Sequence, residues 1–113
     1  MNSPCLFCRI VQGEIPSRKV YEDERFFVFE DIQPQAPVHV LFIPKKHVEN
    51  VAGLCPEDGA LTGDLMLLMS RLASEKGWKS FRVVSNSGAE AQQSVFHLHF
   101  HLLSGRPMTW PPG

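Results

Sequence analysis

The sequence predicts an α+β fold, with a five-stranded, mainly antiparallel sheet, one long helix and one or two short helices. Segments with a strand-like pattern outnumber helical segments and are adjacent in the sequence. This arrangement favours antiparallel pairing between neighbouring strands. A single segment carries helical periodicity over several turns. With 113 residues and neither an internal repeat nor a low-complexity tract, the chain is expected to form a single domain over 1–113.

A short helix is predicted near the start of the chain, over 5–12. Ser3 and Pro4 suit its N-cap and first helical position, and a glycine follows its end. Its apolar face consists of Leu6, Phe7, Ile10 and Val11. At roughly 100° per residue, Cys5 and Cys8 lie on about the opposite face.

Five segments are predicted to be strands. Two of them, about 18–22 and 25–30, flank a tight turn. The segment 37–44 is almost wholly apolar and is bracketed by prolines, which is typical of a strand buried on both faces. Two further strands are expected over 80–86 and 95–103. The last residues of the chain, rich in proline and glycine, are expected to be irregular.

The long helix is predicted over 56–76. Pro56 suits its first turn, and Lys76 followed by Gly77 suits its end. The core stripe of this helix consists of Leu61, Leu65, Leu68 and Leu72, widened by Met66, Met69 and Ala73. A stripe of that width could pack equally well against a broad core or against a second subunit. A short helical turn is expected within 45–53.

Composition excludes several classes of protein. Eleven basic and twelve acidic residues give a formal charge of −1, without the basic stripe that nucleic-acid binding needs, so no nucleic-acid partner is expected. No apolar run approaches the roughly 20 residues of a membrane span, and the first residues lack a signal-peptide layout. A cytoplasmic protein without a membrane partner is therefore expected. Three cysteines, an odd number, argue against a disulfide framework.

Three of the five histidines stand two residues apart within 95–103. Side chains alternate along a strand, so His97, His99 and His101 are predicted to share one face. The opposite face would be entirely apolar and would meet the core through Phe96, Leu98, Phe100 and Leu102. Three imidazoles about 7 Å apart pack poorly and repel one another when charged, so a purely structural role is disfavoured.

Two kinds of chemistry remain for these imidazoles. Neutral imidazole is a common metal ligand, and it is also a nucleophile and a general acid–base group. The small, polar loop 85–94 leads directly into the histidines. Its backbone N–H groups and the Ser94 hydroxyl could surround an anion such as a phosphate.

The segment QSVFHLHFHLL (93–103) closely resembles the His-x-His-x-His-x-x motif of the histidine triad (HIT) superfamily. GEIPSRKVYEDERFFVFEDIQPQAPVHVLFIPKKH (13–47) and GRPMTWPPG (105–113) are similar to its Hint branch, the histidine triad nucleotide-binding proteins. The resemblance implies a homodimer whose two sheets join into one. It also implies hydrolysis of purine nucleoside 5′-phosphoramidates, such as AMP-lysine, and of aminoacyl-adenylate-like compounds, with release of the nucleoside monophosphate.

The resemblance also implies roles for individual residues. His99 would attack the α-phosphorus and form a nucleotidyl-histidine that water hydrolyses, while His101 would contact the phosphate oxygens. His39 would orient the other ring nitrogen of the nucleophile, and Ser94 would lie near the leaving group. The nucleotide would be bound by Asp31 at the ribose, by Gln93 and Asn86 beside the phosphate, and by Leu6, Phe7, Phe29 and Ile32 around the base. The tail at Trp110 is expected to approach the site of the partner protomer.

The chain departs from the family pattern at two places. Gln92 stands where the family commonly has Gly before the Gln-Ser pair, which affects the backbone path of the loop. Ser104 and Gly105 stand where the family usually has Gly-Gly before Arg.

Cys5 and Cys8 form a Cys-x-x-Cys pair whose role is open from the sequence. No predicted strand precedes the pair, as a thioredoxin-type redox motif would require. A zinc site needs two more ligands, and His47 and His97 are the candidates. Some histidine triad proteins resemble this pattern, which implies a structural Zn²⁺ in a closed Cys₂His₂ tetrahedron. The alternative is a pair of reduced thiols, with His47 a surface residue.

Several functions stay open besides phosphoramidate hydrolysis. One is a nucleotide-binding regulatory or scaffold protein whose catalysis is incidental. Another is a dinucleoside polyphosphate hydrolase or nucleotidyl transferase of a sister branch, although the short length and the Trp-Pro-Pro-Gly tail favour Hint. A catalytic zinc on all three strand histidines is geometrically awkward, because the first and third would stand roughly 13 Å apart.

Overall fold

The structure, a computed structural model, describes residues 4–113, and its regular elements follow the predicted order. The helices are α1 (Leu6–Val11) and α2 (Gly59–Lys76), and the strands are β1 (Lys19–Glu22), β2 (Phe26–Glu30), β3 (Val38–Pro44), β4 (Phe81–Val84) and β5 (Phe100–Ser104). Short 3₁₀ turns occupy Val51–Gly53, Pro56–Asp58 and Ala89–Ala91. The predicted long helix therefore begins as a 3₁₀ turn at Pro56.

The five strands form one sheet in the order β1-β2-β3-β5-β4, and every neighbouring pair is antiparallel. The predicted α+β class and five-stranded antiparallel sheet are thus confirmed. Strand β3 lies at the centre, and every residue after its first is buried, as its apolar sequence predicts. In residues 4–113, no helix is both long and apolar enough to cross a membrane.

Helix α2 covers one face of the sheet. The main core joins Leu65, Leu68, Met69 and Leu72 of α2 to Phe26, Val28, Val40, Phe42, Phe100 and Leu102 of the strands. The predicted stripe is confirmed at these leucines, while Leu61 is only partly buried. Met66 was expected to widen the stripe, but it is 39% exposed, and its neighbour Leu67 is 69% exposed.

Helix α1 covers the other face of the sheet. Phe7 and Ile10 are buried there against Phe27, Phe29, Leu41 and Ile43. The predicted N-cap at Ser3 lies outside the described residues. Cys5 occupies the N-cap position, and its Sγ accepts the Cys8 N–H at 3.4 Å. The helix therefore presents aromatic and aliphatic side chains to the sheet and its cysteines to the loops beside it.

The last strand is shorter than predicted, because it begins at Phe100 and not at 95. The backbone N–H of Leu98 bonds to the Val48 carbonyl at 2.6 Å, so this part of the chain pairs with the loop after β3. The core positions Leu98, Phe100 and Leu102 are buried as predicted. Phe96 was also expected in the core, but it is 44% exposed, since the strand ladder does not extend to it.

The two departures from the family pattern have distinct structural consequences. Gln92 is the one non-glycine residue with positive φ (71°) among those described, which is the conformation that glycine adopts most easily. Ser104 donates its hydroxyl to the Ser80 carbonyl at 2.7 Å and ties the end of β5 to the start of β4. Gly105 has φ 97°, and a Cβ there would stand 2.9 Å from the Cβ of Pro37.

Candidate active site

A cavity of about 380 Å³ between α1 and the ends of the strands gathers most of the predicted site residues. Its apolar end is lined by Leu6, Phe7, Ile10, Phe29, Ile32 and Leu41, and its polar end by Asp31, Asn86, Gln92, Ser94, His99 and His101. Such a cavity, apolar with a few convergent polar groups, is typical of a small-molecule site. The structure thus brings together the residues predicted for base, ribose and phosphate, except Gln93.

His99 is buried, and its ring is held in one orientation by the backbone. Its Nδ1 lies 2.7 Å from the carbonyl oxygen of His97. A carbonyl only accepts hydrogen bonds, so Nδ1 carries the proton and Nε2 carries the lone pair. Burial lowers the pKa of His99, opposed by its bond to the His97 carbonyl and by the charge of Asp31. The result is a neutral imidazole with a bare Nε2.

His39 and His101 form a hydrogen-bonded relay, which gives His101 the tautomer opposite to that of His99. The Gln35 N–H donates to His39 Nδ1 at 3.0 Å, so the proton of neutral His39 lies on Nε2. That Nε2 stands 2.9 Å from His101 Nδ1 and donates to it. His101 therefore carries its own proton on Nε2, where it can donate to a bound anion. The expectation that His39 orients His99 is wrong: its partner is His101, and the His97 carbonyl orients His99.

Asp31 stands beside this relay, immediately after β2. Its Oδ1 accepts the Gln33 N–H at 2.8 Å, and its Oδ2 lies 3.4 Å from His39 Nε2 and 3.9 Å from His101 Nδ1. Burial lowers the pKa of His101 to about 4, helped by the neighbouring imidazoles of His99 and His39 and opposed by Asp31. The imidazoles are therefore neutral near pH 7 despite the nearby carboxylate.

Gln93 does not line the phosphate end of the cavity, contrary to prediction. Its buried amide accepts from Asn50 Nδ2 at 3.1 Å and from the Gly88 N–H at 2.8 Å, and it donates to the carbonyls of Glu49 and Val95. The hydrogen bonds of this amide therefore connect the loop 85–95 to the segment after β3. Gln92 lines the cavity in its place. Sequence reasoning singled out Gln92 as a departure from Gly but did not assign it to the site.

Trp110 does not line the cavity within the single chain. Its side chain is 81% exposed, and Arg82 of β4 stands 5.9 Å from the centre of its ring. Arg82 Nη2 also donates to the Thr109 carbonyl at 2.9 Å, which holds the tail beside this strand. The approach of Trp110 to a partner's site stays a prediction.

Cys5, Cys8, His47 and His97 form a second cluster next to the cavity. One ligand atom from each lies within 4.8 Å of all the others. His97 Nδ1 is 3.3 Å from Cys5 Sγ, 3.5 Å from Cys8 Sγ and 3.2 Å from His47 Nδ1. Around a tetrahedral zinc, bond lengths predict S–N separations of about 3.6 Å and N–N separations of about 3.3 Å. The cluster therefore fits Zn²⁺ closely.

The backbone also sets the tautomer of His97. Its Nε2 lies 2.7 Å from the Pro44 carbonyl and must carry the proton, which leaves the Nδ1 lone pair facing the cysteines. Metal-ligating histidines commonly use their second nitrogen in this way. His97 is fully buried, whereas His47 is exposed.

Comparison with known proteins agrees with this fold. Residues 4–110 match the family described as scavenger mRNA decapping enzyme C-term binding. An uncharacterized HIT-like protein of Synechocystis sp. is 49% identical to this chain over 114 residues. The alignment covers 100% of both chains. A HIT family hydrolase from Legionella pneumophila superposes with a TM-score of 0.93 at 45% identity, over 96% of this chain and 99% of that one.

A histidine triad protein from Clostridium difficile superposes with a TM-score of 0.90 at 39% identity, over 96% of this chain and 97% of the other. The antiparallel sheet and the closely packed imidazoles of His39, His99 and His101 define a protein of the histidine triad class. With the family and relatives matched along nearly its whole length, the chain belongs to the HIT superfamily.

The lowered pKa of His101 predicts loss of stability in acid. The unfolded chain takes up a proton near the ordinary value of 6.5, whereas the folded protein resists until about 4. The contribution of His101 to the free energy of unfolding should therefore be constant above pH 7 and fall as pH drops from 6.5 towards 4, by about 2–3 kcal/mol. Urea unfolding of wild type and His101→Gln at pH 7 and pH 4.5 measures the difference. Equal acid destabilisation of the two proteins would contradict the assignment.

Proposed function

We propose that this protein hydrolyses purine nucleoside 5′-phosphoramidates and related aminoacyl-adenylate-like compounds through a nucleotidyl-histidine. The observation that carries the proposal is His99, whose Nδ1–H is held by the His97 carbonyl at 2.7 Å inside a cavity with an apolar slot. That geometry leaves a neutral nitrogen nucleophile beside a group able to bind phosphate oxygens. Two of the similar solved structures are named HIT family hydrolases, which supports a hydrolase.

In the first step the lone pair of His99 Nε2 attacks the α-phosphorus, and a P–N bond to His99 forms as the bond to the amine breaks. The leaving nitrogen keeps the bonding pair and takes one proton from solvent through the Ser94 hydroxyl. Water then attacks phosphorus, the electron pair returns to His99 Nε2, and one water proton goes to solvent. A mixed anhydride would instead release a carboxylate, which needs no proton to leave.

The remaining groups position the nucleotide. Phe7 and Phe29 meet edge to face at 5.4 Å and form the base slot with Leu6 and Ile32. Asp31 lines the same cavity and would accept the ribose hydroxyls. His101, with its proton on Nε2, would donate to a non-bridging phosphate oxygen and stabilise the charge that develops there.

His99→Asn tests the nucleophile. Asparagine can keep an N–H for the His97 carbonyl but offers no nucleophilic nitrogen, so turnover of adenosine 5′-phosphoramidate should fall at least about a thousandfold. AMP affinity, measured by calorimetry, should be largely unchanged. Surviving activity would show that another group attacks phosphorus.

The same assay separates the other candidate functions. Faster hydrolysis of diadenosine polyphosphates than of the phosphoramidate by the wild-type protein would favour the sister-branch activity. Tight AMP binding with negligible turnover of either compound would favour a regulatory protein.

We also propose that Cys5, Cys8, His47 and His97 hold a structural zinc. The separations of their ligand atoms and the tautomer of His97 support a closed tetrahedral site. When bound, zinc would supply charge neutralisation for two thiolates and a cross-link between α1 and the sheet, with no open position for catalysis. Because α1 carries Phe7 on its other face, the same cross-link would hold one wall of the base slot.

Cys5→Ser should remove about one zinc per chain, lower the thermal unfolding midpoint and weaken AMP binding, because α1 loses its tether. Cys55→Ser is the matched control, since that thiol is exposed and lies outside the cluster. Elemental analysis, thermal unfolding and calorimetry on the same samples give the three readouts. A wild-type protein that stays free of zinc after expression with zinc added would refute the site.

We further propose that a second copy of the chain pairs with β4, the strand at the end of the sheet. Phe81 and Val83 pair with Ser104 and Leu102, so they lie on the helix side of the sheet, where they are 41% and 39% exposed. Pairing there would continue the sheet and bury both side chains. It would also bring the tail at Trp110 to the partner.

Sedimentation velocity should show a wild-type dimer and a Val83→Glu monomer, because a carboxylate at that position would be buried without a partner. Val51→Glu is the control, an exposed apolar residue outside β4. A wild-type monomer at micromolar concentration would contradict the proposal.

A further inference from the structure

We propose that Arg106 is a positioning residue, which acts through Gln35 to hold the protons of the His39–His101 pair in one arrangement. This inference rests on the proposed hydrolysis and adds to it a residue outside the lining of the cavity that contains His99. Arg106 is exposed and lies in the tail after β5. Its Nε donates to the Gln35 carbonyl at 2.8 Å, and the Gln35 N–H donates to His39 Nδ1 at 3.0 Å.

The end of β5 places Arg106 beside the loop 32–37. The last residue of β5 pairs with the first residue of β3, so the tail leaves the sheet next to this loop. Gly105 has φ 97°, and a Cβ there would stand 2.9 Å from the Cβ of Pro37, so the backbone passes closely over the loop. Arg106 is the next residue. Its Nη1 donates to the Pro107 carbonyl at 2.9 Å, which orients the guanidinium.

The loop 32–37 has few other side-chain bonds. They are local, since the Gln35 amide donates to the Gln33 carbonyl at 3.1 Å and the Gln33 N–H bonds to Asp31 at 2.8 Å. In the part of the chain that the structure describes, Arg106 provides the one side-chain hydrogen bond that this loop receives from a distant segment. The position of the Gln35 backbone therefore depends on this arginine.

The Gln35 N–H excludes a second arrangement of protons in the histidine pair. The proton between the two rings belongs to His39, and His101 carries its own proton on Nε2. If both protons moved by one position, His39 would carry N–H at Nδ1, and His101 Nε2 would be bare and unable to donate to phosphate. Asp31 does not select between the two arrangements, because each has a proton between the facing nitrogens, 3.4 and 3.9 Å from its Oδ2. In the second arrangement, however, two N–H donors would face each other at 3.0 Å.

The same N–H opposes a second proton on His39. A proton on Nδ1 would break the bond from Gln35, so that bond favours the neutral ring. Burial also lowers the pKa of His39, and the charge of Asp31 raises it. The charged or titratable groups that contact this ring, its partner ring or a cavity that it lines are Asp31, His99, His101, Arg18 and Glu30. All of them remain when Arg106 is replaced, so a changed titration reports the Gln35 N–H.

Arg106→Met tests the proposal, because methionine keeps much of the aliphatic stem and donates no hydrogen bond. In a pH titration followed by nitrogen-15 NMR, the His39–His101 pair should bind an extra proton about threefold more tightly than in the wild-type protein. For adenosine 5′-phosphoramidate, kcat should fall about tenfold while KM stays within about twofold, because His101 would act on charge that develops at phosphorus. The ring signals of His99 at pH 8 should be unchanged, since the His97 carbonyl holds that ring.

Two further variants separate this role from a general effect on structure. In Arg106→Lys an ammonium group can still donate to the Gln35 carbonyl, so at least half of the change in proton affinity and in kcat should be recovered. Arg71→Met is the matched control, since Arg71 is an exposed arginine of α2 that bonds to the Tyr21 hydroxyl, and it should behave as the wild-type protein does. If Arg106→Met does not fold, Arg106→Gln, which is shorter and neutral, is titrated in its place.

An unchanged titration of the His39–His101 pair in the Arg106 variant would overturn the proposal. So would an equal change in Arg71→Met. The titration needs no substrate, so it separates this inference from the proposed function. If the wild-type protein does not hydrolyse the phosphoramidate, the proposed function fails, and the titration still decides whether Arg106 controls the protons of the pair.

Discussion

The hydrogen bond from His99 Nδ1 to the His97 carbonyl, 2.7 Å long, is the interaction on which the proposed chemistry of this molecule depends. It places the bare nitrogen of a buried imidazole towards the cavity. The same principle, a backbone group fixing one ring nitrogen so that the other has a defined role, operates twice more. The Pro44 carbonyl turns the lone pair of His97 towards the cysteines, and the Gln35 N–H acts through His39 to set the proton of His101. Three histidines of identical spacing thus have three different sets of ring-nitrogen partners.

Helix α1 is only six residues long, but it contacts both the candidate active site and the cysteine–histidine cluster. The ring of Phe7 lies 5.0 Å from that of His99 and 6.0 Å from that of His97, both in edge contact. Cys5 and Cys8 flank Phe7 in sequence and face His97 and His47. A short helix has little intrinsic stability, so its position depends on tertiary contacts at both faces. Metal binding on one face and nucleotide binding on the other would therefore support each other, without any need for a large conformational change.

The sequence was informative where a local pattern determines the outcome. The leucine periodicity of α2, the apolar run of β3 and the alternation of Leu98, Phe100 and Leu102 all predicted burial that the structure shows. Prediction failed where a partner distant in sequence decides: β5 begins late because Leu98 bonds to Val48, and Gln93 turns inwards because Glu49 and Asn50 meet its amide. The partner of His39 was also misjudged, since it follows from the register that pairs Leu41 with His101. Residue types in the motif indicate the chemistry, but only the strand register and loop contacts show which ring nitrogen faces which group.

Hydrogen bonds that start from the backbone hold His99 and His101 in opposite tautomers. Nitrogen-15 NMR of the imidazole rings, recorded near pH 7 on protein labelled at histidine, tests this assignment directly, because protonated and bare ring nitrogens resonate in separate regions. We expect a proton on Nδ1 and a bare Nε2 for His99, with a proton on Nε2 and a bare Nδ1 for His101. A proton on Nε2 of His99, or a doubly protonated ring at that position, would contradict it.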